Sequence, residues 1–123
     1  MNRITHFEIP AKKPEASMKF FKNVFNWKFT KLENSGVDYW MVDTGDKKEV
    51  GINGGLYPRS KPEQIVVNTI DVVDIDASVK KIKENGGTIV SPKMAIPTVG
   101  WFAHFKDPDG NLFGVIQMDQ KAK

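Results

Sequence analysis

Apolar positions along this chain switch between a period of two and a period near 3.6, and the switch occurs twice in the same order. Ile4 to Ile9 alternates: Ile4, His6 and Glu8 share one face and Thr5, Phe7 and Ile9 the other, as in a half-buried strand. Pro10 is expected to end that strand, because proline cannot donate to a sheet ladder. Pro14 suits the first turn of a helix, where its missing N–H costs little. Met18, Phe21 and Phe25 then recur at helical spacing, widened by Phe20 and Val24, up to a stop near Asn26. Strands are expected over Trp27–Leu32, Tyr39–Val42 and Glu49–Leu56, separated by the turns Asn34-Ser35-Gly36 and Thr44-Gly45-Asp46. Gly51, Gly54 and Gly55 weaken the last of these and suggest an irregular strand or a close backbone approach.

Tyr57 to Glu63, with Pro58 and Pro62, reads as a linker, after which the order returns. Ile65–Ile70 is a buried-strand pattern, and Asp74 is placed to cap a helix carrying Ile75, Val79 and Ile82. Gly86-Gly87 stops that helix. Strands follow over Thr88–Val90, Gly100–Phe105 and Leu112–Gln117, the last two joined by the turn Asp107-Pro108-Asp109-Gly110. The halves also match residue by residue: Glu15–Asn23 returns as Asp76–Glu84 at an offset of 61. Each half therefore reads β-α-β-β-β, and residues 1–123 form one α+β domain made of two repeats, about 1–57 and 64–118.

Bulk properties narrow the function classes. A chain of 123 residues has room for one adequate core. No apolar run reaches the ~18–20 residues that a membrane span needs, and the N-terminus lacks the apolar stretch of a signal peptide. Cysteine is absent, which removes disulfides and thiolate chemistry. A cytoplasmic location is the default expectation. The net charge of +3 is mild. Lys80, Lys81 and Lys83 fit a solvated helix end, and Lys121 and Lys123 a frayed tail. With no base-reading or stacking stripe, nucleic acid is not expected as a partner, and with no spanning run neither is a membrane.

Several of these segments resemble the vicinal oxygen chelate superfamily, which includes glyoxalase I, extradiol dioxygenases and bleomycin-resistance proteins. The carrying motifs are the first strand with His6, the Asp76-Ala77-Ser78-Val79…Asn85-Gly86-Gly87 helix, and Phe105-Lys106-Asp107-Pro108-Asp109-Gly110-Asn111 before an apolar strand. Gly51-Ile52-Asn53-Gly54-Gly55-Leu56 and Ile96-Pro97-Thr98-Val99-Gly100-Trp101-Phe102 are similar to a glyoxalase-like subgroup. The resemblance implies the glyoxalase/bleomycin resistance/dihydroxybiphenyl dioxygenase-like fold, in which two βαβββ modules curve eight strands around a cleft. It also implies a divalent metal, held by one ligand from the first and last strand of each module, that polarises a substrate with two adjacent oxygens.

Those four places fall on His6, Asn68, Gly114 and a position within Gly51–Leu56. His6 alone is a good ligand; Asn68 is a poor one, Gly114 offers no side chain, and the glycine-rich stretch contains no His, Asp or Glu. Catalytic centres usually keep three protein ligands, so the expectation is no metal and no other cofactor. His6 remains a candidate base or hydrogen-bonding group, since imidazole titrates near neutral pH, and Glu8 could orient it from the same face. Asn68 is expected to face the same cleft. Strict pairing across the Asp-Pro-Asp-Gly turn would oppose His104 to Phe113, facing away from Gly114, whereas a bulge would reverse this. Trp101 is expected on Gly114's face. Tyr39, Trp40, Trp101 and Phe102 otherwise read as core aromatics. No phosphate-loop spacing or nucleophile elbow is present.

The expected function is binding of a small apolar or aromatic molecule in the cleft, at His6, Asn68, Trp101 and His104, without the family metal. Two alternatives stand beside it. One is a lyase, isomerase or oxygenase with a site rebuilt around His6 and Glu8, since the family includes lactoylglutathione lyase-like and dioxygenase enzymes. The other is a non-catalytic interaction protein whose cavity is collapsed by Trp101 and its neighbours. A homodimer is implied by the resemblance alone.

Overall fold

A computed structural model describes residues 1–33 and 36–123. The expected turn at Asn34-Ser35-Gly36 therefore lies, at its first two residues, outside the described residues. The element order is β1 (Arg3–Ala11), α1 (Pro14–Phe25), β2 (Lys28–Lys31), β3 (Trp40–Asp43), β4 (Asn53–Pro58), β5 (Val67–Asp71), α2 (Ile75–Glu84), β6 (Thr88–Ile96), β7 (Gly100–Lys106) and β8 (Leu112–Met118). The chain divides into a first unit, His6–Val66, and a second, Val67–Lys123 together with Met1–Thr5. The opening residues join the second unit through a hydrogen bond from Asn2 N–H to Asp71 O, 2.7 Å. Each half reads βαβββ, and the helices start 61 residues apart, at Pro14 and Ile75.

In the first module the strand order is β2-β3-β4-β1. β1 runs parallel to β4, and β3 pairs antiparallel with both β2 and β4. α1 starts with Pro14 in its first turn and ends where Asn26 turns left-handed at φ 62°. Its inward residues pack on one face of the sheet, where Ala11, Val42 and Leu56 form the buried centre with Phe7, Met18 and Trp40 around it. Phe21 stacks on Trp27 with ring centroids 4.7 Å apart. Contrary to expectation, Pro10 does not end β1: it pairs with Tyr57, and Ala11 with Pro58. Alternate residues of a strand point their N–H away from a given neighbour, so a proline there need not interrupt that ladder.

β4 starts later than the expected Glu49, at Asn53, because residues 44–52 are held as a turn. Thr44 Oγ1 donates to Ile52 O at 2.7 Å, and Asn53 Oδ1 accepts from Thr44 N–H at 2.9 Å.

In the second module the order is β5-β8-β7-β6, with β5 parallel to β8 and the other pairs antiparallel. Asp74 caps α2, its carboxylate accepting from Ala77 N–H at 3.1 Å. Ile75, Val72, Ala103 and Val115 make the buried centre under that helix. β6 runs six residues beyond the expected Val90, with register shifts between Ile89 and Met94 that accommodate Pro92.

Candidate functional site

The side of the first sheet away from α1 carries the odd residues of β4 and the even residues of β1, since strand side chains alternate. Glu8 lies opposite Gly55 and His6 opposite Asn53. His6 Nε2 is 3.2 Å from the Tyr39 hydroxyl and 3.5 Å from Glu8 Oε1. The His6 side chain is 37% exposed and that of Glu8 24%, so solvent reaches the imidazole more than the carboxylate. Glu8 Oε2 is buried and makes no hydrogen bond of normal geometry, although the Tyr39 phenol lies close enough to interact with the carboxylate as a donor. Burial, and then the charge of Glu8, push the Tyr39 phenol far above its ordinary range. Burial and Glu8 also raise Tyr57, with Arg59 opposing them. Both phenols are therefore held protonated beside a carboxylate, so each can donate a hydrogen bond.

Gly55 makes this packing possible. A Cβ at that position would lie inside the Tyr39 phenol and 2.7 Å from Glu8 Oε2. Tyr39, read from the sequence as a core aromatic, is thus the polar residue that sequence reasoning missed. The available signal was a tyrosine entering a strand that pairs with a glycine-rich one.

The second module has a corresponding place with different contents. The 61-residue spacing of the helices carries Glu8 onto Thr69. Thr69 lies opposite Gly114, where a Cβ would meet Phe102 Cζ at 2.6 Å and Thr69 Oγ1 at 2.9 Å. Thr69 Oγ1 and Asp71 Oδ1 are also buried without partners.

Two expected placements are corrected here. Asn68 pairs with Phe113 and shares the face of Ile70, which packs under α2, so it does not occupy the place of His6. The expected alignment was one residue out, and a one-residue slip sends a strand side chain to the opposite face. Trp101 pairs with Gln117 and not on Gly114's side; it packs against the core beneath α2 and donates from Nε1 to Asp119 Oδ2 at 3.1 Å.

His104 pairs with Gly114 and shares its face. The cause is the hairpin. Asp107 N–H bonds Asn111 O, and Gly110 at φ 86° donates to Asp107 O, giving a three-residue loop with a left-handed glycine. That extra residue shifts the register by one. The His104 ring sits edge-on to Phe102 at 4.7 Å, and its Nδ1 is 3.1 Å from Ser91 Oγ.

The family's four metal places can now be compared with the residues present. Among the described residues, no group of three or more His, Cys, Asp or Glu is arranged to hold an ion. Gly55 and Gly114 have no side chain, their space is filled by Tyr39 and Phe102, and Asn68 lies on the helix side. His6 and Glu8 alone do not fit the family's metal.

The profile of the Glyoxalase/Bleomycin resistance protein/Dioxygenase superfamily matches residues 3–115. The chain belongs to that superfamily. Two mycobacterial members, from Mycobacterium tuberculosis and Mycobacterium bovis, carry the provisional name glyoxylase CFP32 and are 28% identical over 111 residues. That match spans 89% of this chain but 42% of each relative, so the chain covers less than half their length. Among solved structures, a variant of Streptomyces coelicolor methylmalonyl-CoA epimerase superposes with a TM-score of 0.69 at 15% identity, covering 100% of this chain and 99% of that one. The Mycobacterium tuberculosis methylmalonyl-CoA epimerase gives 0.67 at 10% identity, covering 94% and 87%. A hypothetical protein of Bacillus halodurans gives 0.71 at 15%, covering 98% and 97%. At these identities the structural likenesses establish the superfamily's fold alone.

Proposed function

We propose that this superfamily member binds a small aromatic or apolar molecule carrying a hydroxyl or amine hydrogen, on the helix-free face of its first module and without the family's metal. The observation that carries the reading is the half-buried Glu8 carboxylate, whose Oε2 makes no hydrogen bond of normal geometry, beside a protonated Tyr39 and a partly open His6. A buried acceptor without a well-formed hydrogen bond is costly, and a ligand donor would remove that cost. Tyr39, Tyr57 and Met41 on the same face supply apolar surface. Trp101, expected to fill a cavity, sits under α2, which weighs against the collapsed-cavity alternative.

Amide NMR titration with a phenol, an aniline and the matched hydrocarbon tests the proposal. Shifts should centre on His6, Glu8 and Tyr39, with the hydroxyl and amine probes bound about tenfold more tightly than the hydrocarbon. Loss of that preference in Glu8→Gln supports the reading. Equal affinities, or shifts elsewhere, overturn it.

An enzymatic reading has its own support. His6 Nε2 lies within reach of both the Tyr39 hydroxyl and the Glu8 carboxylate, a path along which a proton could be passed. The name of the mycobacterial relatives points the same way. Turnover lost in His6→Ala with the fold intact would favour it. A cytoplasmic location, suited to a chain without cysteine, and the homodimer implied by the resemblance complete the proposal; sedimentation velocity tests the latter.

A further inference from the structure

Helix α1 leaves large apolar side chains more than half exposed. Phe20 and Val24, 55% and 56% exposed, lie off the stripe on which Met18 and Phe21 pack inward, and Phe25, 57% exposed, ends that stripe against Phe21 and Trp27. The internal repeat provides a comparison. Sixty-one residues on, the inward Met18 and Phe21 become Val79 and Ile82, and Lys19 and Lys22 become Lys80 and Lys83. Phe20, Val24 and Phe25, however, become Lys81, Asn85 and Gly86. The shared fold thus tolerates a polar outer helix face, and α1 departs from it.

Charge departs in the same place. Between Lys12 and Lys31 the chain carries six lysines (Lys12, Lys13, Lys19, Lys22, Lys28, Lys31) against Glu15, a net +5 within a chain of net +3. All six lysines are exposed. The matching stretch, Val73 to Pro92, has three lysines against three carboxylates.

We infer that the outer face of α1 docks peripherally on an anionic lipid bilayer. Exposed phenylalanine and valine on a convex helix, flanked by lysines, suit shallow insertion between acidic headgroups. A second copy on the same face would bring net +5 against net +5. A nucleic-acid strand would need stacking surfaces, and Val24 interrupts the aromatics. The expectation of no membrane partner concerned spanning segments, and among the described residues no helix is long and apolar enough to cross a membrane; surface docking is a separate property. The ligand face lies on the other side of the first module's sheet, so this inference does not depend on the proposed function.

Co-sedimentation with vesicles tests it. The protein should pellet with phosphatidylcholine vesicles containing phosphatidylserine, and not with phosphatidylcholine alone. Added salt should weaken the association. Phe20→Ser combined with Val24→Asn should weaken it about tenfold, as should Lys19→Glu combined with Lys22→Glu, with unchanged circular dichroism in both. Equal pelleting with both vesicle types, or undiminished binding by the apolar variant, overturns the inference. So does a dimer that the apolar variant dissociates while vesicle binding is unchanged.

Discussion

The two modules place a glycine at the same point of the same strand pair and surround it with different chemistry. In the first, Gly55 lies opposite Glu8, and a tyrosine fills the space its side chain would need. In the second, Gly114 lies opposite Thr69, and a phenylalanine fills it. The phenol of Tyr39 stands beside a carboxylate and an imidazole, whereas the ring of Phe102 stands against His104, whose Nδ1 is within bonding distance of Ser91. The backbone plan thus fixes where a side chain must be missing, and the neighbour that moves in decides whether the place is polar. The first module brings an imidazole, a carboxylate and a phenol to one point, where the second sets a threonine and a histidine around an apolar ring.

The largest effects should come from refilling those glycines. Gly55→Ala should lose about 3 kcal/mol of stability and Gly114→Ala about 1–2, read from urea midpoints. In a Tyr39→Ala background the Gly55 substitution should cost much less, leaving only the shift that the 2.7 Å approach to Glu8 Oε2 demands. A full penalty in both backgrounds would show that Tyr39 does not hold that space.

Next comes the phenol titration. Both of the chain's tyrosines are shifted up, so phenolate absorbance should show no step at the ordinary 10.0. A raised pKa means that the folded chain holds the proton more tightly. The resulting stability is present below pH 10.0 and is lost as pH rises toward the folded values. Glu8→Gln should bring both transitions down, because the carboxylate charge contributes to each shift. An unchanged titration would separate Glu8 from the phenols.

A smaller effect is expected at the hairpin that sets the register of His104. Bonds from the Asn111 side chain and backbone hold the Asp107 carboxyl below its ordinary 3.8. That contribution is present above pH 3.8 and is lost as pH falls through the lower folded value. Asp107→Asn should therefore lower the melting temperature at pH 7 and match the native chain at strongly acid pH. The smallest change should be Asn68→Ala, within about 0.5 kcal/mol and without effect on probe binding. A binding loss there would restore Asn68 as the partner of His6.

Much of this was legible in the sequence. Met18 and Phe21, Val79 and Ile82, the Asp74 cap and the doubled order of elements each follow from local periodicity, and the helices register at 61 residues as read. Strand facing was less legible, because its period is two and a one-residue error inverts it. Asn68 went wrong by counting back to its strand instead of keeping the helix offset. Trp101 went wrong because Asp107 closes on Asn111 and Gly110 adds a residue to the loop. Tyr39 was missed for a different reason: its role depends on Gly55, which lies beside it only across paired strands.

The central claim is that the first module's site is organised by hydrogen bonds among His6, Glu8 and Tyr39 and not by the superfamily's metal. Elemental analysis of protein purified without chelators tests it most directly. The account predicts no stoichiometric divalent ion, in the native chain or in His6→Ala. One tightly held ion per native chain, lost in His6→Ala, would contradict it.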